Sequence, residues 1–442
     1  MSDRIAVVIM AGGLGTRMRS KVPKHQHPLL GKRLVDWVID AGRGIGAERI
    51  VVVASPGHSE AYEGVDVAVQ EKPLGTGDAV ASARPVLEGF EGGVLVLPGD
   101  AALATPDVLG ELVDAHRAEE AGVTLLSFTS PLPLPYGRIV RGANGDVQRI
   151  VEQKDASEDE RAIEELNASF YIFDSSALWQ ALEQLNSGNA QGELYLTDAV
   201  EHVVRAGGRA AAHRSTADPR TFLGVNNRVE LAEAAAVLRD RINERHMLAG
   251  VSIVDPQSTW IEEPVELEAD STVLPFTVLR GATTVAADAE IGPHAVVVDA
   301  EIGPGAVVGP FCYVRPGTIL AAGAKAGTFV ELKNTHVGER SKVPHLSYIG
   351  DAEIGEGSNI GAGAITANFP HEPGQPKQRT KIGKNVRTAV HNAFVAPVEI
   401  GDESWTAAGS VITDDVPPGS LAGFPPRQVT KEGYVAKRDD GD

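Results

Sequence analysis

A glycine-rich segment at residues 10–18 carries the first group of residues that could do chemistry. It consists of Met-Ala-Gly-Gly-Leu-Gly-Thr-Arg-Met, and Pro23-Lys24 follows it. Glycines let the backbone approach a ligand closely, and successive N–H groups can bind phosphate oxygens. Arg17 and Lys24 could neutralise charge that develops during phosphoryl transfer. The segment lacks the Gly-Lys-[Ser/Thr] end of a P-loop and the Rossmann glycine spacing.

Two oxygen-bearing side chains further along the chain could complete such a site. Asp100 ends an apolar run, and Asn226 precedes a long stretch of helical composition. One carboxylate and one amide oxygen suit Mg²⁺, which keeps several waters and takes its other ligands from phosphates. Each residue also has an ordinary interpretation. Asp100 could simply end a strand, and Asn226 could be a helix N-cap, a common role for Asn.

A second group of polar residues lies in the C-terminal part of the chain. A lone histidine is more often structural or solvated than catalytic. Here, however, two cations, a His and a Tyr lie close together in sequence, and neutral imidazole is a suitable general base. The group consists of Arg315, Lys333, His345, Tyr348, Asn359 and Asn368.

These polar residues interrupt a repeat of six. Compact residues recur at Ile382, Thr388, Phe394, Ile400 and Thr406, and the same spacing runs back to Ile261. A period of six fits neither a helix nor an isolated strand. It is typical of a β-helix whose aliphatic residues point inward. Residues 368–379 interrupt the repeat and should protrude from the coil.

The N-terminal half alternates apolar runs with helical stretches, which is typical of a parallel α/β sheet. A longer helix free of Gly and Pro is predicted at Val229–Leu248. We therefore predict domains at 1–227 and 250–442, joined by a helical arm at 228–249. The predicted strands are Ile5–Met10, Ile50–Ala54, Val94–Leu97 and Val123–Ser127, and the predicted shorter helices are Arg33–Ala41, Gly77–Leu87 and Pro106–Ala121.

Composition excludes several classes of function. With 442 residues, the chain is too long for one compact core. The formal net charge of −20 disfavours nucleic-acid binding, which needs a basic surface. The lone Cys312 cannot form an intramolecular disulfide, which fits a reducing cytoplasm. We find no run long enough for a membrane span and no adequate signal peptide.

The N-terminal motifs resemble those of sugar-phosphate nucleotidyltransferases. Besides the segment with Arg17 and Lys24, the matches include Leu74-Gly-Thr-Gly77, Pro98-Gly-Asp100 and Gly224-Val-Asn-Asn-Arg228. The resemblance implies that Arg17 and Lys24 are catalytic and that Asp100 and Asn226 bind Mg²⁺. It further implies a substrate-binding set of Ala11, Gly12, Gly13, Gln70, Gly75, Thr76, Gly99, Gly137, Glu152 and Asn167. Within this set, the resemblance implies that Gln70 and residues 74–77 recognise uracil and that Gly137, Glu152 and Asn167 lie at the sugar.

The C-terminal segments resemble the acetyltransferase half of one bifunctional family, N-acetylglucosamine-1-phosphate uridylyltransferase/glucosamine-1-phosphate N-acetyltransferase. By that resemblance, Arg315 and Lys333 hold the sugar phosphate. Tyr348 and Asn359 contact the sugar, and His345 is the general base. The coenzyme-binding residues implied are Ala362, Asn368, Phe369, Lys377, Ala408 and Arg427.

Three positions depart from the family pattern. Phe369 replaces a tyrosine, Ala389-Val390 replaces Gly-Ser in a coenzyme segment, and Arg427 is about two positions out of register. The resemblance still covers nearly the whole chain. It implies a Rossmann-like N-terminal nucleotidyltransferase domain and a left-handed parallel β-helix of hexapeptide repeats.

We therefore expect a bifunctional enzyme. Its substrates would be acetyl-CoA, glucosamine-1-phosphate, UTP and N-acetylglucosamine-1-phosphate, with Mg²⁺ as cofactor. Alternatives are a nucleotidyltransferase whose β-helix is only an oligomerisation scaffold, or an enzyme with another sugar or nucleotide. We also expect a homotrimer in which residues 368–379 complete the acetyl site of a neighbour with Asn368 and Lys377.

Overall fold

The computed structural model describes residues 3–13, 15–59, 62–131, 134–370, 374–424 and 428–432. The chain divides into two compact units, Met1–Leu238 and Arg239–Asp442. The division falls within a helix that spans Arg228–Leu248. This is the region where the sequence predicts a helical arm. The exact bounds of the two predicted domains, 1–227 and 250–442, and of the arm at 228–249 stay a prediction.

The first unit is an α/β domain. Its helices are α1 (Leu34–Gly44), α2 (Thr76–Ser82), α3 (Pro106–Glu119), α4 (Glu158–Arg161), α5 (Ser175–Leu182), α6 (Leu196–Arg205) and the first part of α7 (Arg228–Leu248). Its strands are β1 (Ile5–Ala11), β2 (Pro28–Leu29), β3 (Lys32–Arg33), β4 (Arg49–Ala54), β5 (Asp66–Val69), β6 (Gly93–Pro98), β7 (Val123–Phe128), β8 (Arg138–Arg141), β9 (Val147–Val151), β10 (Leu166–Asp174) and β11 (Ala210–Arg214).

The main sheet has the strand order β11-β7-β10-β6-β1-β4-β5 among the described residues. β1 pairs in parallel with both β4 and β6, whereas β10 runs antiparallel between β6 and β7. The four strands predicted from the sequence are confirmed within one or two residues at each end. The carboxyl ends of β1, β4, β5 and β6 therefore lie at one edge, where open α/β sheets bind their ligands.

Both faces of this sheet are covered, which explains the continuous apolar runs. Along β1, Val7 and Ile9 lie in a core with α1 and α3. The intervening Ala6 and Val8 lie in the core on the opposite face with α2, α5 and α6. Alternate residues of one strand thus enter two different cores, and the rigid centre of the sheet fixes the loops at its edge.

One predicted helix is shorter than expected. The pattern predicts a helix at residues 77–87, but α2 ends at Ser82. Pro85 explains the difference, because proline lacks an N–H and disfavours helical backbone at the residue before it. Hydrogen-bonded turns continue the chain to Phe90.

Helix α7 begins with a side-chain cap. Asn227 Oδ1 accepts hydrogen bonds from the backbone N–H groups of Val229 (2.9 Å) and Glu230 (3.1 Å). Glu230 in turn accepts from the backbone N–H of Asn226 (2.6 Å). Asn227 is therefore the cap, and the alternative of Asn226 as the capping side chain is wrong. No helix in the described part of the chain is sufficiently long and apolar to traverse a membrane.

The second unit consists of short parallel strands in three ladders, within the described residues. The first ladder contains Ser252–Ile253, Thr272–Val273, Glu290–Ile291, Val307–Val308, Lys325–Thr328 and Lys342–His345. The second contains Trp260–Ile261, Val278–Arg280, Val296–Val298, Tyr313–Val314, Glu331–Lys333, Tyr348–Gly350, Ile365–Ala367, Ala393–Val395 and Val411–Ile412. The third contains Glu266–Leu267, Thr284–Val285, Ala300–Ile302, Thr318–Leu320, His336–Val337, Ala352–Ile354, Thr380–Ile382 and Val398–Ile400. Trp405–Thr406 pairs with Leu421–Ala422.

The hexapeptide prediction is confirmed, and the arrangement is consistent with a left-handed parallel β-helix. The compact residues of the repeat, such as Val297, Leu332, Ile349 and Phe394, are fully buried. Leu267 is an exception near the start of the coil, since it is only half-buried.

At some corners of the coil, successive inward-pointing residues are five positions apart in sequence, one fewer than in the repeat of six. At these corners Asp299, Asn334 and Asp351 adopt left-handed backbone with φ of 45°, 47° and 50°. Asn and Asp tolerate this conformation better than other non-glycine residues. The five-residue gaps in the repeat, such as Val297 to Ile302, are therefore tight corners made by Asp or Asn.

Candidate active sites

The first candidate site lies where β1 and β6 end at the same sheet edge. The N–H of Gly99 donates to the carbonyl of Met10 (3.0 Å), which joins the segments that follow the two strands. A Cβ on Gly99 would lie 2.8 Å from that carbonyl oxygen and 3.0 Å from the His25 ring. Glycine is therefore required here by close approach, and it brings Asp100 beside the glycine-rich segment.

Four sequence-predicted residues come together at this edge. The Lys24 ammonium forms an ion pair with Asp100, and both side chains are largely buried. Asn226 Oδ1 accepts hydrogen bonds from Arg17 (2.8 Å) and from Lys24 Nζ (3.2 Å). A backbone hydrogen bond from Val225 N to Asp100 O (3.2 Å) fixes Asn226 beside Asp100. The cluster thus joins residues that lie far apart in sequence.

Electrostatics keep Asp100 ionised. Burial alone would raise the pKa of Asp100, but the adjacent Lys24 holds it below its ordinary value. His25 lies beneath the same site and was missed by the sequence analysis. Burial, reinforced by Lys24, lowers the pKa of His25 to about 4, so its ring is neutral at physiological pH. The site therefore presents one buried carboxylate and two cations.

The donor set fits a hard divalent cation. Asp100 offers a carboxylate oxygen, and Asn226 directs its amide oxygen towards the same ammonium group of Lys24. A cation already lies between the two oxygens, which shows that they converge on a point where positive charge is stabilised. The described residues contain no group of three or more His, Cys, Asp or Glu suited to a metal. A metal here would take its other ligands from phosphates and water.

The predicted uracil-binding segment lies beside the glycine-rich loop. Gln70 is buried, and its Nε2 donates to Gly75 O (3.1 Å) and to Asp78 (2.8 Å). Gly75 has a φ of 129°, and a Cβ there would overlap the backbone of Leu194. Thr76 Oγ1 accepts from the N–H of Leu196 (2.9 Å). Gln70, Gly75 and Thr76 thus form one rigid wall at the end of β5.

Ala11 and Gly12 are buried at the end of β1, whereas Gly13 is exposed. A Cβ on Gly12 would lie 2.6 Å from Gln70 Oε1, so the loop packs directly against the predicted uracil-binding side chain.

The predicted sugar-binding residues lie around β8, β9 and β10. The N–H of Asn167 donates to Gly137 O (2.9 Å), and its side chain donates to Tyr171 (2.6 Å) inside the domain. Thr197 donates to Glu152 (3.2 Å). Burial raises the pKa of Glu152, and Asp155 and Asp198 raise it further.

In the second unit, a cationic cluster lies on the second ladder. The backbone of Arg315 bonds to the strand that contains Lys333, and Lys333 pairs with Gly350 on the next strand. Arg315 also donates to Glu331 (2.7 Å). Lys377 approaches Lys333 in the same chain and lowers the pKa of Lys333. Two adjacent ammonium groups are stabilised when an anion lies between them, so this cluster suits a phosphate.

His345 and Tyr348 lie on either side of one corner. His345 ends the first ladder opposite Thr328, and its side chain is exposed. Tyr348 begins the next strand of the second ladder, between Glu331 and Ile365. Asn359 lies one coil above Lys342 on the face that contains His345. His345 and Asn359 therefore lie on one face of the coil, and Tyr348 lies on the adjacent face that carries the cationic cluster.

The predicted coenzyme-binding residues stack on the same corner as His345, on the turns that follow it. Gly363 N donates to His345 O (3.3 Å), His391 N to Ala362 O (2.7 Å), and Gly409 N to Val390 O (2.9 Å). Ala362, Val390 and Ala408 thus lie on three successive turns, and Val390 is exposed. Arg427 lies outside the described residues.

The described part of residues 368–379 is exposed from Gly374 to Arg379, and Phe369 is 76% exposed. Asn368, however, donates to Asp351 (2.5 Å) and to Tyr348 (3.4 Å) of its own chain. Lys377 lies within 5.9 Å of the Phe369 ring centroid. The single chain therefore brings Asn368 and Lys377 to its own Tyr348 and Lys333, whereas the sequence analysis expected them at a neighbour's site.

Comparisons with known proteins identify relatives over nearly the whole chain. Residues 6–218 match the family model described as Nucleotidyl transferase. The chain is 44% identical to Bifunctional protein GlmU of Corynebacterium efficiens, over 99% of this chain and 94% of that protein. It is 45% identical to the protein of the same name from Mycolicibacterium gilvum, over 100% and 93%. For that from Brevibacillus brevis the identity is 44%, over 98% of each chain.

The matches extend across both compact units and include the α/β sheet edge and the β-helix cluster. Identity at this level over nearly the full length of the chain shows that both units together belong to one protein family. The chain therefore belongs to the GlmU family of bifunctional proteins.

Proposed function

We propose that this protein makes UDP-N-acetylglucosamine, a precursor for cell-wall biosynthesis, in two reactions. It transfers an acetyl group from acetyl-CoA to glucosamine-1-phosphate, and then joins the product to UTP with release of pyrophosphate. The observation that carries the proposal is that each unit contains its own cluster of charged residues. Arg17, Lys24, Asp100 and Asn226 meet in the first unit. Lys333 and Lys377 meet in the second.

Uridylyl transfer needs an attack by the sugar phosphate oxygen on the α-phosphorus of UTP, with pyrophosphate leaving. No covalent enzyme intermediate is required, so positioning and charge stabilisation supply the catalysis. Arg17 and Lys24 neutralise charge on the phosphates. Gln70 and Thr76 lie where the base binds, and Glu152 and Asn167 lie on the sugar side.

Mg²⁺ would be held by Asp100 and Asn226, and when bound it shields the charge of the phosphates. Lys24 Nζ contacts both of these side chains in the structure. When Mg²⁺ binds at this point, the Lys24 ammonium would be displaced from between the two oxygens, and Lys24 would then pair with the phosphates and add to the positive charge around them.

Acetyl transfer uses the second unit. The phosphate of glucosamine-1-phosphate lies against Lys333, Lys377 and Arg315. His345 removes a proton from the 2-amino group, the nitrogen attacks the thioester carbonyl, and coenzyme A leaves as the thiol. The exposed imidazole of His345 can exchange its proton with solvent. The coenzyme extends along the corner formed by Ala362, Val390 and Ala408.

The second candidate function is uridylyl transfer alone, with the β-helix as an oligomerisation scaffold. The exposed Val390 and Phe369 favour it, because each replaces a polar family residue at the coenzyme end. Product analysis tests both candidates. Purified protein is incubated with glucosamine-1-phosphate, acetyl-CoA, UTP and Mg²⁺, and each component is then omitted in turn. Release of the coenzyme thiol without UTP supports the bifunctional assignment. Its absence, with uridylyl transfer to supplied N-acetylglucosamine-1-phosphate intact, supports the scaffold.

The proposed assembly is a homotrimer formed through the β-helix, and the proposed location is the cytoplasm. The surface of the second unit is suited to a second copy of the chain. Phe276, His294, Phe311 and Phe329 stack along one corner with ring-centroid separations of 4.7, 4.8 and 5.2 Å. The three Phe side chains are 47–56% exposed in the single chain. The net charge of −20 continues to disfavour nucleic acid as a partner.

A further inference from the structure

Asp351 occupies a tight corner of the β-helix directly behind the proposed acetyl site. Its side chain is 6% exposed, and its backbone is left-handed with a φ of 50°. Asp351 Oδ1 accepts a hydrogen bond from Asn334 Nδ2 (2.5 Å). Its other oxygen, Oδ2, accepts from Asn368 Nδ2 (2.5 Å). The carboxylate therefore holds two carboxamides, one of them at the start of the segment that interrupts the repeat.

Asp351 also contacts the other end of that segment. The backbone N–H of Thr380 donates to Asp351 O (3.2 Å), and the N–H of Gln378 donates to Asn368 O (3.1 Å). Both ends of the inserted segment are thus fixed at one residue. Lys377 directly precedes Gln378, so it lies beside the C-terminal end of the segment that these hydrogen bonds fix.

The chemistry of the carboxylate decides how Asn368 is oriented. A carboxylate only accepts hydrogen bonds, so Asn368 must turn its NH₂ group towards Asp351 and towards Tyr348. This leaves Asn368 Oδ1 as the atom that can accept a hydrogen bond from a ligand. The negative charge of Asp351 also lies close enough to Lys333 to oppose the repulsion from Lys377.

We propose that Asp351 is a positioning residue for acetyl transfer: its carboxylate orients Asn368 and keeps Lys377 beside Lys333, so that the site accepts an acetyl thioester and an anionic sugar phosphate. This inference rests on the acetyl-transfer half of the proposed function. It assigns no proton transfer to Asp351, because His345 is the proposed general base.

The test compares Asp351→Asn with Asp299→Asn. Both residues make tight corners with left-handed backbone, which Asn tolerates, so backbone strain is matched. Asp299 accepts its hydrogen bond from the N–H of Ala282 (2.9 Å), and the amide oxygen of Asn can still accept it. At position 351, Asn offers one amide oxygen and cannot accept from two NH₂ groups in the same way.

In Asp351→Asn, we expect the KM values for acetyl-CoA and glucosamine-1-phosphate to rise roughly 10-fold or more, the scale of a lost hydrogen bond to a charged group. We expect kcat to change less than either KM. The pH dependence of kcat should keep its shape, since His345 is not altered. Asp299→Asn should match the wild type in all three measurements, and uridylyl transfer should be unchanged in both variants.

Hydrogen exchange separates failure of this inference from failure of the proposed function. Peptides that contain Gln378 and Thr380 should exchange faster in Asp351→Asn than in Asp299→Asn, whether or not the protein transfers acetyl groups. Unchanged KM values in an acetyl-transferring protein would overturn the positioning role. Equal exchange in the two variants would overturn it as well. A lower unfolding temperature with wild-type KM values would make Asp351 purely structural.

Discussion

At the scale of single residues, charge placement separates the two sites. Asp100 is the only carboxylate among the proposed metal ligands. We expect Asp100→Ala to abolish Mg²⁺-dependent uridylyl transfer, because Asn226 alone would remain to hold the ion. Acetyl transfer by the second unit should continue at the wild-type rate. Parallel assays of pyrophosphate release and thiol release provide the measurement.

Asp100→Asn is the matched control for folding. It keeps the size of the side chain and an oxygen that can accept a hydrogen bond from Lys24, whereas Asp100→Ala removes both. Each variant leaves the buried Lys24 ammonium without its counter-charge, and the loss is larger in Asp100→Ala. Both variants should lose uridylyl transfer. Loss of both activities in a folded Asp100→Asn protein would contradict the assignment of two separate sites.

The Glu152 carboxylate is proposed to bind the sugar phosphate substrate, but its burial lowers the stability of the folded protein at neutral pH. Its pKa is raised above the ordinary value of 4.5, first by burial and then by Asp155 and Asp198. Between the ordinary and the raised pKa, the folded protein therefore binds more protons than the unfolded chain. The stabilisation from the protonated carboxyl is present at low pH and is lost as pH rises through the folded-state pKa.

From this sign we expect Glu152→Gln to unfold at a higher temperature than the wild type at pH 7. The difference should shrink as the pH falls towards 4.5, the ordinary Glu value. The KM for N-acetylglucosamine-1-phosphate should rise by about 10-fold, because a charged acceptor is lost. Thermal unfolding across this pH range checks the first expectation. An equal or lower unfolding temperature at pH 7 would contradict it.

At the scale of elements, the start of α7 assigns different tasks to two adjacent asparagines. Asn227 caps the helix, whereas Asn226 contacts Arg17 and Lys24. We expect Asn227→Ala to lower the free energy of unfolding by about 1 kcal/mol, a typical value for a lost cap. Asn226→Ala should retain stability but weaken Mg²⁺-dependent uridylyl transfer by about 10-fold or more. Chemical denaturation and Mg²⁺ titrations of both variants test this division, and the opposite pattern would reverse the two roles.

The elements also show what sequence patterns could and could not predict. Alternating apolar runs predict the sheet, and the period of six predicts the coil, because both patterns reflect burial of one face. Local chemistry explains the miss at α2, where Pro85 ends the helix early. The contact between His25 and Gly99 could not be predicted, since it depends on how two strands place their following loops. The role of Asp351 had a signal in the five-residue gap after Ile349, which marks a tight corner.

At the scale of the whole molecule, each activity should be removable by itself. We expect His345→Ala to reduce acetyl transfer by about 10²–10⁴-fold, the usual contribution of a general base. Uridylyl transfer of supplied N-acetylglucosamine-1-phosphate should be unchanged, because every proposed residue for that reaction lies within residues 1–238. Steady-state rates for both reactions give the measurement. A wild-type acetyl-transfer rate would exclude His345 as the base.

Oligomeric state is the last property that the whole chain should show. A single β-helix leaves the stacked aromatic corner at Phe276, Phe311 and Phe329 partly exposed to water, and burial of this apolar surface would favour association. Soluble homo-oligomers usually close into cyclic symmetry, and three prism-shaped coils can close about a three-fold axis. Light scattering of the full chain should therefore give a mass three times the 46.5 kDa of one chain.

Because Asn368 and Lys377 already contact Tyr348 and Lys333 of their own chain, the acetyl site need not be shared for the trimer to form. A monomer with full acetyl transfer at assay concentration would exclude both the trimer and a shared site, whereas an active trimer that loses acetyl transfer on dilution to monomers would show that a neighbour completes the site.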